Sequence, residues 1–163
     1  MRIDRKLTYI QLIGIILALM ASYYMEYFLL IEPCLLCIIQ RVLLVVLLLT
    51  TLANLIFKPL QTFFDVSTVI LFFMGLGLSV HHLGLTMSLD PNALCLPKFS
   101  YLISTFGIWE TLSMALSNPA SCSKVQSYFL GLNLPIWLIL FYSIQLILSF
   151  LKVYITYSRS KPN

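Results

Sequence analysis

Four long apolar runs leave this chain few possible folds. They cover about residues 7–31, 38–57, 64–87 and 134–154, and each reaches the roughly 20 residues that a helix needs to cross a bilayer. In hydrocarbon a run must satisfy its own backbone N–H and C=O groups, which restricts spanning segments to helices and closed barrels. The alternating pattern of barrel strands is absent. The reading is therefore all-α: an integral membrane four-helix bundle, one membrane domain over residues 1–163, with a short outer loop and a long outer loop over about residues 88–133. Composition supports this, because 60% of residues are hydrophobic and only 10% are charged, against about 25% charged in soluble domains. Such a chain cannot cover its surface with polar groups and needs lipid as solvent. The net charge of +4 is modest and no basic cluster is interleaved with aromatics, so no nucleic-acid partner is expected.

The first run follows Arg2, Arg5 and Lys6, as a signal peptide would, but it exceeds the 7–15 apolar residues of a signal core and no clear small-x-small cleavage site ends it. It is read as a retained helix. Lys58 lies between the second and third runs, and Lys152, Arg159 and Lys161 end the chain, while the other side holds only Arg41, Lys98 and Lys124. The excess of basic residues predicts cytoplasmic termini. All four cysteines, Cys34, Cys37, Cys95 and Cys122, then fall at or beyond the outer face, a compartment that permits disulfides.

The long outer loop contains Phe99, Leu102, Ile103, Phe106, Trp109 and Leu112 at helical spacing. That pattern suits a short helix on the membrane surface. Gly107 weakens the helix, so an aromatic-rich loop is an equal alternative.

The cysteines form two unlike pairs. Cys34 and Cys37 lie in "EPCLLCIIQR", at the start of the second run, and Cys95 and Cys122 are far apart in the long loop. Of the three possible pairings, only Cys34 with Cys37 and Cys95 with Cys122 keeps each pair within its own loop. A bond between Cys34 and Cys37 closes a tiny ring and gains little from loop entropy, which favours redox chemistry over stapling. Cys37 is placed near the positive end of the second helix, and Arg41, one turn on, shares its face. Both favour the thiolate, which is the reactive form.

Arg41 reads either as a side chain snorkelling to headgroups or as a hydrogen-bond donor to a ligand carbonyl beside Cys37, since charges within spans are functional candidates. Glu26 and His81 read as side chains satisfied inside the bundle or in interfacial water. His82 is a candidate proton donor. Adjacent histidines cannot both ligate one haem from opposite faces. A zinc site would need all four thiolates in one tetrahedron, and the second pair lacks the spacing for it, so no metal is expected.

The order of these residues resembles the DsbB family, disulfide bond formation proteins of the bacterial inner membrane. The resemblance rests on "PCLLCIIQR" from Pro33 to Arg41 after the first span, then two spans, Cys95, Cys122, and "LGLNLPIW" from Leu130 to Trp137 opening the last span. It implies quinone-dependent oxidation of a periplasmic thioredoxin-like dithiol protein, DsbA-like, with ubiquinone or menaquinone as acceptor. By the same resemblance Cys95 takes the mixed disulfide with the partner, Cys122 exchanges with Cys34, and Cys37 meets the quinone. Arg41 and, through a looser match, His82 lie beside that quinone. A small four-span carrier of thiophilic metal and a disulfide-stapled scaffold are the competing readings.

Overall fold

The structure is a computed structural model, and it describes residues 3–30, 33–87, 99–117, 128–129 and 132–160. Four long helices dominate it: α1 (Ile3–Tyr27), α2 (Leu35–Ile56), α3 (Gln61–Met87) and α5 (Leu134–Ser160). A further helix, α4 (Phe99–Ser117), and a two-residue antiparallel pair, β1 (Tyr128–Phe129) with β2 (Leu132–Asn133), lie between α3 and α5. Each of the four long helices is long and apolar enough to cross a membrane. The four-helix membrane fold expected from the apolar runs is the fold found.

Helix ends follow from local chemistry. Phe57 N–H still donates to Ala53 C=O at 2.8 Å, but Pro59 disfavours helix at Lys58 before it. The chain therefore makes one 3-10 turn, Lys58–Leu60, before α3 begins. Pro135 lies in the first turn of α5, where its missing N–H forfeits no helical bond. The first apolar run does not stay helical to Ile31. Phe28 N–H closes the last turn on Tyr24 C=O, and Leu30 adopts a left-handed backbone (φ 52°) that turns the chain away.

Polar contacts at one end show that neighbouring helices run antiparallel. Early α1 meets late α5, where the Gln11 side-chain amide donates to Ser149 Oγ at 2.6 Å. Late α2 meets early α3 and late α5, where Asp65 accepts from Asn54 at 2.5 Å and pairs with Lys152 at 2.6 Å. Both charges of that pair are almost fully buried. Lys152, counted above among the inner surface charges, thus serves as an internal strut. Between this end and the cysteine end, Ile15, Leu19, Leu44, Leu47, Phe72 and Tyr142 form a core drawn from all four helices. The Phe72 and Tyr142 rings meet edge-on at 6.4 Å, and Gly75 leaves the space that the Tyr142 ring fills. Small residues at such crossings let helices pack closely without help from a hydrophobic driving force.

The bundle also buries polar side chains and exposes apolar ones. Gln11, Gln40, Thr51, Ser79, Gln145 and Ser149 are buried, whereas Met20, Ile56, Phe73 and Tyr154 are exposed. Thr51 and Ser79 return their hydroxyls to the carbonyls of Leu47 and Gly75, which satisfies them where no water is at hand.

Helix α4 is present but broken. Gly107 takes φ 78° and ψ 170° inside it, a conformation that glycine reaches without steric cost. Leu102 packs with Leu35 at the start of α2, joined by Ile39 and Met114, while Trp109 is 81% exposed. Of the two alternatives raised from the sequence, the helix is the one found and the loop is not, with Gly107 interrupting the helix. His81 joins α3 to α4 through a ring nitrogen 2.7 Å from Leu116 C=O.

Candidate functional site: the cysteine end of the bundle

Cys34 is the capping residue of α2. Its backbone is extended (φ −69°, ψ 164°), and its Sγ accepts the Cys37 N–H at 3.2 Å. The sequence placed the start of this helix near Ile38, with Cys37 closest to its positive end. The helix instead begins at Leu35, because Leu35 and Leu36 are buried against α4 and in the cluster around Cys34. That packing recruits the Cys-x-x-Cys turn into the helix. The sulfur that accepts the Cys37 N–H at the positive helix end is therefore that of Cys34, with Cys37 in the first turn.

His82, on α3, completes this corner. Its Nε2 lies 3.5 Å from Cys34 Sγ, and it is only 3% exposed. One ligand atom from each of Cys34, Cys37 and His82 lies within 4.8 Å of the others. Leu36, Ile39 and Leu85 surround the two sulfurs with apolar contacts.

Cys37 also faces an open cleft of about 420 Å³ bounded by α1, α2 and α5. Its wall is chiefly apolar, with Leu17, Ala18, Trp137 and Phe141 among the lining, and its polar groups include Ser22, Glu26, Gln40, Arg41 and Gln145. Ligand sites of this kind are mostly apolar, with a few placed polar groups. His82 is not among the lining residues.

Arg41 is held from α1. Its Nη1 donates to Glu26 Oε2 at 2.5 Å, its Nε to Ser22 Oγ at 3.0 Å and its Nη2 to Ser22 C=O at 3.4 Å. Its guanidinium also covers the Tyr23 ring at 4.6 Å, an attraction between cation and ring face. Neither sequence reading of Arg41 foresaw this anchoring. Glu26 and Arg41 are the charges flanking the short loop, and charges within spans pair with one another, so the signal was available. Ser22 and Tyr23 carried none, because aromatic and hydroxyl residues are common along α1. Gln40 donates to Ser79 Oγ at 3.2 Å and has its carbonyl Oε1 buried without a partner among the described residues. Cys95 and Cys122 lie outside the described residues.

The family model for disulfide bond formation protein DsbB matches residues 4–152. Three proteins called disulfide bond formation protein B are similar to this chain. That of Acinetobacter baylyi is 29% identical over 77% of this chain and 77% of its own length. That of Methylococcus capsulatus is 32% identical over 75% and 77%, and that of Hahella chejuensis is 33% identical over 71% and 73%. With a family match from the first turn of α1 into the last turns of α5, this multi-pass membrane protein belongs to the DsbB family of disulfide bond formation proteins.

Proposed function

We propose that the protein oxidises a periplasmic thioredoxin-like dithiol protein, DsbA-like, and delivers the electrons to a membrane quinone, ubiquinone or menaquinone. The observation that carries this reading is one wall shared by two chemistries: Cys37 of the Cys-x-x-Cys turn and the anchored Arg41 both line an apolar cleft. The residues fit a quinone. The cleft lies within the roughly 300–1,000 Å³ range of small-molecule sites, Trp137 and Phe141 contribute aromatic rings to its wall, and the Arg41 guanidinium is a fixed donor for a carbonyl oxygen. When bound, a quinone supplies the acceptor for two electrons and two protons.

The chain's own residues do the rest. A thiolate of the partner attacks Cys95 of a Cys95–Cys122 disulfide, Cys122 leaves as thiolate, and the partner's second thiol resolves the mixed disulfide. The partner has then lost two electrons and two protons, and Cys95 and Cys122 are a dithiol. Cys122 next attacks Cys34 of a Cys34–Cys37 disulfide, with Cys37 leaving as thiolate, and Cys95 releases Cys34. Each exchange conserves electrons and sulfur bonds. The amides of α2 stabilise charge on Cys34 as it leaves, and His82, 3.5 Å away, can hold or return its proton. Cys37, on the cleft wall, is the sulfur placed to pass the electron pair on.

This chemistry sets the expected surroundings: the bacterial inner membrane, cytoplasmic termini, and the cysteine end of the bundle at the periplasmic face. The deciding experiment mixes purified protein, reduced dithiol partner and quinone without oxygen and follows both redox states. One quinone reduced per partner disulfide formed is expected. Partner oxidation that proceeds equally well with quinone omitted, over many turnovers, would refute the reading.

A further inference from the structure

The corner formed by Cys34, Cys37 and His82 brings together three groups that are also metal ligands. Two cysteine sulfurs and an imidazole nitrogen come from two different helices and lie within 4.8 Å of one another. A tetrahedral zinc ion with bonds of about 2.3 Å to sulfur and about 2.0 Å to nitrogen separates those ligands by about 3.5 Å. Cys34 Sγ and His82 Nε2 are 3.5 Å apart. Cys34 and His82 are 5% and 3% exposed, and Leu36, Ile39 and Leu85 pack around the sulfurs. Thiolate and imidazole in an apolar shell select soft or borderline ions over magnesium or calcium. A site with three protein ligands takes water or substrate in its fourth position, and Cys37 is half-buried on the cleft wall.

We propose that the reduced Cys34–Cys37 pair and His82 together form a binding site for one thiophilic divalent metal ion of the zinc class. The sequence argued against zinc because it required four cysteines to meet, and the third ligand is instead a histidine that the α2–α3 packing brings in from 45 residues beyond Cys37. Binding forms two metal–sulfur bonds and one metal–nitrogen bond and releases the two thiol protons to solvent, with no change in oxidation state. Both sulfurs are then occupied as ligands, so a disulfide forms between them only after the ion has left. Metal occupancy thus holds the pair reduced and interrupts turnover. Site formation does not depend on the quinone reading, so the test below can fail without that reading failing.

The test uses the full chain in detergent, carrying Cys95→Ser and Cys122→Ser so that Cys34 and Cys37 are its only thiols, reduced with a phosphine under anaerobic conditions. Titration with Co²⁺ is expected to produce the visible bands of tetrahedral cobalt and a thiolate charge-transfer band, saturating at one ion per chain and displaced by Zn²⁺. Prior oxidation of Cys34 and Cys37 to a disulfide should abolish both bands. His82→Gln should weaken binding by more than about tenfold, since even an outer partner of a ligand contributes that much. X-ray absorption of the zinc-loaded protein with His82 intact supplies the check that does not depend on that variant folding: two sulfur ligands and one imidazole are expected. Absence of the tetrahedral cobalt spectrum, binding that survives oxidation, or zinc without an imidazole ligand would each overturn the proposal.

Discussion

Arg41 on α2 and Glu26 on α1 are joined by an ion pair at 2.5 Å, with Ser22 and Tyr23 of α1 holding the same guanidinium. The pair fixes the guanidinium on the wall of the cleft that also contains Cys37. A lysine places a point charge on a flexible stem and cannot reproduce the planar fork. Arg41→Lys should therefore raise the apparent KM for quinone, and Arg41→Met more strongly. Loss of one charge-assisted hydrogen bond of about 1.5–3 kcal/mol corresponds to roughly 10- to 150-fold. Glu26→Gln should have a smaller effect in the same direction. Steady-state oxidation of the dithiol over a range of quinone concentrations measures this. Unchanged quinone dependence in Arg41→Met would reduce Arg41 to a clamp between α1 and α2.

The Asp65–Lys152 pair is buried near one end of the bundle, with Asn54 donating to the same carboxylate. Removing one partner of a buried pair strands the other charge, at a cost of about 3–5 kcal/mol. Asp65→Leu and Lys152→Met should each lower stability by that order, and the double variant should recover much of the loss. Unfolding in mixed detergent–denaturant titrations reads this directly. Additive losses in the double variant would show that the two charges do not compensate each other.

Two glycines of α3 provide an internal control. A methyl at Gly75 overlaps the Tyr142 ring, whereas a methyl at Gly77 meets nothing within 4 Å. Gly75→Ala should destabilise by about 1–3 kcal/mol through overpacking. Gly77→Ala should be neutral or stabilising by up to about 1 kcal/mol, because alanine is the better helix former. Equal thermal stability of the two variants would contradict the packing of α3 on α5.

The proposed relay makes Cys95 the residue that the partner attacks. Cys122→Ser should leave Cys95 able to form a mixed disulfide with the dithiol partner that Cys122 can no longer displace. A trapped adduct is expected on non-reducing gels, and Cys95→Ser in the same chain should remove it. The same adduct in the double variant would mean that Cys95 is not the point of attachment.

The four apolar runs were sufficient to determine the membrane bundle, because backbone hydrogen bonding in lipid leaves a long apolar segment little choice but helix. The Cys-x-x-Cys turn and Arg41 were legible for a related reason: polar groups at the edge of such runs are costly and so stand out. Partners were not legible. Glu26 meets Arg41, Asp65 meets Lys152 and His82 meets Cys34 only because antiparallel packing brings together positions 15, 87 and 48 residues apart. The start of α2 also moved, from Ile38 to Leu35. Burial of Leu35 and Leu36 against other helices decided it, and no local propensity in the turn records that contact. Sequence alone therefore determined that four spanning helices form and where the cysteines lie along the chain. Tertiary structure decided which sulfur caps the helix, which charge anchors the arginine and which histidine joins the cysteines, because each depends on contacts between helices.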